Sequence, residues 1–159
     1  MKYSHNSFFC NDPVYDTLRN NLDALEFDLM YRMFSKNIYC SHSWRPLNCM
    51  YYGKLERYLF ECYGIAKKRE KVLYFIIEPK TCNPLMMEPL YKLLNKYRHE
   101  KIIYVMSVQY KKGPHQWLRG LWLKRFFRLY KEKLGILDKR LETDLHEQVD
   151  LYEKKWYHF

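Results

Sequence analysis

Alanine and glycine are scarce in this chain: 159 residues hold two alanines, Ala24 and Ala66, and five glycines. No glycine-rich phosphate loop, nucleophile elbow or cluster of aspartates is present, which excludes the commonest nucleotide-dependent enzymes at the level of motif. Long apolar runs are also missing. Val72–Ile77 and Ile102–Val105 are far too short to span a bilayer. The N-terminal stretch MKYSHNSFFCNDP has no sustained apolar segment of the kind that marks a secretory leader. The five cysteines, Cys10, Cys40, Cys49, Cys62 and Cys82, are odd in number and lack paired spacing. Reduced thiols in a reducing compartment are expected, either an organelle matrix or viral or host cytoplasm.

What is abundant is aromatic and basic. Hydrophobic residues make up 48% and aromatics 18%, with 16 tyrosines, so the chain has ample material for a packed core. The preference for Tyr, Lys, Phe and Leu over Ala and Gly suits an AT-biased coding sequence, as in organelles, viruses and parasites. The formal net charge is +10, and it is focused. Residues 1–50 are neutral in sum, whereas residues 101–133 carry nine basic groups against the single acid Glu132. A concentrated basic field attracts polyanions, nucleic acid foremost.

The coarse pattern is a single α+β domain over 1–159: a small central sheet with a strand–helix–strand core, an N-terminal helix and two C-terminal helices. Asp12-Pro13 is a helix start, and Val14, Leu18, Leu22, Leu25, Leu29 and Met33 recur at three and four, which predicts one amphipathic helix over 13–35. Asn37–Cys40 reads as a short strand within a loop. Tyr51–Tyr63 fits a helix through Leu55, Tyr58, Leu59 and Cys62, and Tyr58–Tyr63 fits a strand equally well. The β-branched and aromatic run Val72–Glu78 predicts a strand buried on both faces. Asn83-Pro84 opens a helix to about Arg98, with Pro89 a candidate kink, and Ile102–Tyr110 is a second buried strand. A crossover of that length favours parallel pairing. Helices over 116–133 and 138–156 complete the pattern.

The segment Lys111–Lys133 interleaves basic and aromatic residues. At 100° per residue, Lys124, Arg125, Arg128 and Lys131 gather on one arc, while Trp122, Leu123, Phe126, Leu129, Tyr130 and Leu134 gather opposite. Four cations on adjacent turns repel one another, and phosphates would offset that repulsion. Lys111, Lys112 and Arg119 extend the same field. The expected function is a basic nucleic-acid-binding protein that contacts the phosphate backbone of RNA or DNA through this helix. It would be a non-catalytic component of a larger, ribosome-like assembly with protein neighbours. The competing expectation from the same helix is an adaptor that binds an anionic membrane or an acidic protein.

Glu78-Pro79-Lys80 closes a core strand that is followed by helix and strand, and in this it resembles the PD-(D/E)xK nuclease superfamily. The resemblance implies a metal-dependent nuclease in which Glu78 and an upstream acid bind Mg²⁺ or Mn²⁺ while Lys80 positions water. Here the upstream acid would be Glu61, if Tyr58–Tyr63 is a strand, with Glu26 or Glu56 contributing from a helix. A second segment, Lys112–Trp117, is similar to the Gly-x-His-x-His strand of HUH replication-initiation nucleases, and Val149–Lys155 to their Tyr-x-x-Lys helix. Cys40, His42 and Cys49, with Cys10, are candidate zinc ligands, at a spacing that fits no usual knuckle.

Overall fold

The computed structural model describes residues 2–5, 7, 10, 12–41, 53–80, 83–107, 114–138 and 147–149. The elements are β1 (Lys2–Ser4), α1 (Pro13–Arg19), β2 (Ala24–Arg32), β3 (Asn37–Cys40), α2 (Leu55–Ala66), β4 (Leu73–Pro79), a 3₁₀ turn (Pro84–Met86), α3 (Met87–Lys96), β5 (Ile102–Met106), α4 (Pro114–Leu134), β6 (Leu137–Asp138) and β7 (Glu147–Val149). This is an α+β protein built on a mostly parallel sheet in the order β6-β5-β4-β2-β1-β7, with β3 also on β2. Every pairing is parallel except β2 with β3. β1 lies against the start of β2 at Ala24 and Leu25, and β3 takes over at Leu29–Arg32.

The strand–helix–strand core stands as expected, with β4 and β5 parallel and α3 between them. Pro89 sits in the first turn of α3, where a missing N–H costs nothing. α2 resolves the ambiguous segment as helix: Leu55, Tyr58, Leu59, Cys62 and Ala66 are its buried residues. Tyr58–Tyr63 is therefore not a strand. The side-chain spacing of three and four prevails because it lets the helix cover the sheet along one stripe.

The single N-terminal helix over 13–35 is corrected. α1 stops at Arg19, Asn21 takes a left-handed φ of 53°, and β2 begins at Ala24. The helical spacing of Leu22, Leu25, Leu29 and Met33 was coincidental with a strand buried on both faces. Leu25, Phe27, Leu29 and Tyr31 face the main core, and Ala24, Glu26, Asp28 and Met30 alternate with them. Acids on that second face imitate the polar side of a helix. The helix expected over 138–156 is corrected as well. Gly135, at φ 63°, turns the chain out of α4, Ile136 is buried, and Leu137–Asp138 joins the edge of β5. β7 lies inside the expected helix, and residues 150–159 lie outside those described.

The main core fills the helix side of the sheet. Phe27 stacks on Phe75 at 5.0 Å and meets Tyr58 at 4.7 Å, and Phe75 meets Tyr104 edge-on at 6.2 Å. The Tyr104 hydroxyl lies 3.0 Å from the carbonyls of Leu94 and Tyr97, which anchors the end of α3. Trp122 of α4 donates its indole N–H to the Asn83 carbonyl at 2.9 Å. On the other face a small cluster of Tyr3, Ala24, Ile76 and Val105 is buried with no helix residue among its described members. Strands β1, β2, β4, β5 and β6 lie in chain order across the sheet, β7 pairs with β1 at one edge, and the face that carries this small cluster is the inner face.

Candidate active site

The polar residues of the inner face gather where the parallel strands end. Asp28 of β2 stands opposite Glu78 of β4 in the sheet register. Lys80 follows immediately, and its backbone N–H donates to the Leu29 carbonyl at 2.9 Å, so the β2–β4 ladder continues past Pro79. The Lys80 ammonium then folds back between the two acids. Nζ lies 2.8 Å from Oε1 of Glu78 and 3.2 Å from Oδ2 of Asp28. Asp28 is 1% exposed, Glu78 15% and Lys80 20%, so the cluster is accessible from the Glu78–Lys80 side.

Pro79 is compatible with this arrangement because of its place in the alternation. The Ile77 carbonyl accepts from Ser107 on the β5 side, and the Lys80 N–H donates to the β2 side. The nitrogen of Pro79 thus faces β5, beyond the last paired residues Ile77 and Met106. Proline at that point removes no bond of the ladder.

Glu26, 2% exposed, precedes Asp28 by two residues on the same face and stands opposite Ile76. It belongs to a strand, not to a helix. Its backbone N–H donates to the Ser7 hydroxyl, which itself donates to the Ser4 carbonyl, fixing the end of β1 against β2. Half-buried His5 directly follows β1 at this end of the sheet. Cys40 of β3 lies close enough to Asp28 to feel its charge. Burial first, and that charge second, push its thiol well above the ordinary range and keep it neutral.

Two carboxylates held by one ammonium, with a third carboxylate a step away, form a site of net negative charge inside a basic protein. Oxygen donors of this kind suit a hard divalent cation. Among the described residues no group of three or more His, Cys, Asp and Glu side chains is gathered as a metal site. Asp28 and Glu78 would supply two ligands, and the remaining positions would fall to water and substrate oxygens, as is usual for Mg²⁺.

Glu61, expected as the upstream acid and metal ligand, is in helix α2 and pairs with Arg57 one turn earlier at 2.9 Å. The acid that meets Glu78 and Lys80 is Asp28. Glu56 is also committed elsewhere: Lys96 donates to it at 2.8 Å, and that bond holds its carboxyl below the usual range. The signal for Asp28 was in the sequence, where A-L-E-F-D-L-M-Y alternates acids with large apolar residues at a period of two.

The basic field maps onto α4. Lys124, Arg125, Arg128 and Lys131 are exposed, while Trp122, Leu123, Phe126 and Leu134 are buried. Tyr130 is half-buried and stacks on Tyr91 of α3 at 4.4 Å. Leu129, expected in the apolar arc, is exposed with Leu121 on the basic side. This surface is on the helix face of the sheet, away from Asp28 and Glu78. Lys111, Lys112 and the side chain of Arg119 lie outside the described residues.

The remaining motifs lie partly outside the described residues. His115 is in α4, not in a strand, and Lys112, Gly113 and Tyr152 lie outside the described residues. Cys40 is buried in β3, Cys10 is half-buried, and His42 and Cys49 lie outside the described residues. No helix among the described residues is long and apolar enough to cross a membrane. No protein-family model matches the chain, and neither a curated protein nor a solved structure matches it.

Proposed function

We propose that this protein is a divalent-metal-dependent phosphodiesterase, with nucleic acid the substrate class favoured by its charge. The observation that carries the reading is the bridge of Lys80 between Asp28 and Glu78 at the carboxyl ends of adjacent parallel strands. In parallel α/β sheets and barrels that end is where ligands bind. A cation between the two carboxylates would supply Lewis-acid stabilisation of a phosphoryl oxygen. Lys80, released from its carboxylates, would then hold its ammonium toward the phosphate and offset the charge that develops as water attacks and the ester oxygen leaves. The apolar floor of Ile76 and Val105 keeps bulk water from beneath these groups and strengthens their interactions.

The test is incubation with end-labelled DNA and RNA, with and without Mg²⁺ or Mn²⁺, over a salt series. Cleavage should require the metal and disappear in Asp28→Asn and in Glu78→Gln. Cleavage that survives both substitutions, or none under any condition, would sink the assignment.

A second reading, favoured by the exposed Lys124, Arg125, Arg128 and Lys131, is a non-catalytic nucleic-acid-binding component of an assembly. It predicts metal-independent, salt-sensitive retention of RNA or DNA and no cleavage. Metal-dependent cleavage separates the two readings, since only the first predicts it.

A further inference from the structure

The row formed by Asp28 and Glu78 continues onto the next strand. Ile76 pairs with Val105 and Ile77 with Met106, so the following pair is Glu78 and Ser107. The Ser107 N–H confirms the register by donating to the Ile77 carbonyl at 2.8 Å. Ile76 and Val105 share the inner face, and two residues later Glu78 and Ser107 share it too. Ser107 thus flanks Glu78 on the side away from Asp28. It is fully buried, and its hydroxyl has no hydrogen-bond partner among the described residues. A buried hydroxyl without a partner is costly and stands out directly after a strand made of Ile, Tyr, Val and Met.

We propose that Ser107 is a positioning residue for Glu78: its hydroxyl donates to the Glu78 carboxylate once a divalent cation takes the place of the Lys80 ammonium. This rests on the metal-dependent reading of the site. In the present arrangement Lys80 draws Oε1 of Glu78 toward Asp28. When the cation binds, a donor to the carboxylate oxygen not used as a ligand fixes its plane. Neighbouring residues of adjacent strands are about 4.8 Å apart, and rotation about the Cα–Cβ bond of Ser107 brings its hydroxyl within reach. Outer donors of this kind fix ligand orientation, and their loss weakens metal affinity by about tenfold or more. Direct contact of Ser107 with substrate is less suited to the geometry, since the exposed side of the cluster lies at Glu78 and Lys80.

The experiment is Mn²⁺ titration followed by calorimetry on the full chain, with urea unfolding in parallel, for wild type, Ser107→Ala and Ser107→Thr. The expected result is Mn²⁺ binding weakened about tenfold in Ser107→Ala and restored in Ser107→Thr, with metal-free stability of Ser107→Ala equal to wild type or higher. Equal Mn²⁺ affinity in wild type and Ser107→Ala overturns the Ser107 role and leaves the phosphodiesterase reading intact. No Mn²⁺ binding by wild type overturns both. A parallel fall in metal-free stability and affinity, unrelieved by Ser107→Thr, marks Ser107 as structural and also overturns the proposal.

Discussion

Lys80 reaches 3.2 Å from the carboxylate of Asp28, a side chain that is 1% exposed, and its ammonium offsets that buried charge. Removing the ammonium leaves a buried carboxylate beside Glu78 without this counter-charge. Lys80→Ala is expected to destabilise the protein by about 3 kcal/mol, the scale for breaking a buried pair from one side. If a divalent cation occupies the same place, Mg²⁺ or Mn²⁺ should raise the melting temperature of Lys80→Ala more than that of wild type. Thermal unfolding with and without metal checks both.

Glu61 and Asp28 separate two readings of the same motif. Glu61→Gln loses one helical pair with Arg57, whose side chain is 56% exposed. A stability change within about 0.5 kcal/mol is expected, with metal-dependent cleavage unchanged. Asp28→Asn should abolish cleavage. Equal loss in both variants would return the catalytic role to Glu61.

Alkaline pH should loosen the core. Burial raises the pKa values of Cys40, Cys62, Tyr58 and Tyr104 above the ordinary 9.0 of the thiols and 10.0 of the phenols. A group whose folded pKa is raised contributes its full share of stability below the unfolded value and loses it as pH climbs from there. Urea midpoints should therefore be flat across these groups up to about pH 8.5 and fall steadily above pH 9. Cys10, less deeply placed, is pushed up to about 11 by burial and by Asp16. Alkylation mapped by mass spectrometry at pH 8 should find Cys10 much slower than a free thiol.

The cations of α4 predict a salt signature. Replacing Arg125, Arg128 and Lys131 together with Ala should weaken binding of DNA or RNA and flatten the dependence of log K on log salt by roughly 0.7–0.9 per lost phosphate contact. The fold should be retained, because these side chains are exposed. An unchanged slope would place the polymer contact elsewhere.

The legible parts of the fold were those with one physical reading. Val72–Glu78 is β-branched and aromatic, and β4 follows it closely. The amphipathic spacing of Trp122, Leu123 and Phe126 fixed the seating of α4 on the core, although it wrongly enclosed Leu129. β2 was hidden because a strand buried on both faces can show apolar residues at helical intervals. Its acids lie on a second buried face that exists only once the strands have assembled. Glu78 and Lys80 stand out as a local motif, whereas Asp28 depends on a register between distant strands and sits in a segment whose apolar spacing also suits a helix. The end of α4 at Gly135 was visible, but the pairing of Leu137–Asp138 with β5 is a tertiary preference.

β1 and β7 are neighbours although Lys2 and Glu147 are 145 positions apart. β1 therefore keeps one edge open until β7 has emerged. Their pairing is a long-range event in folding, and loop-closure entropy opposes it. Until then the open edge is available to other chains, so a ribosome-bound or truncated product would be the form most prone to pair with a neighbour.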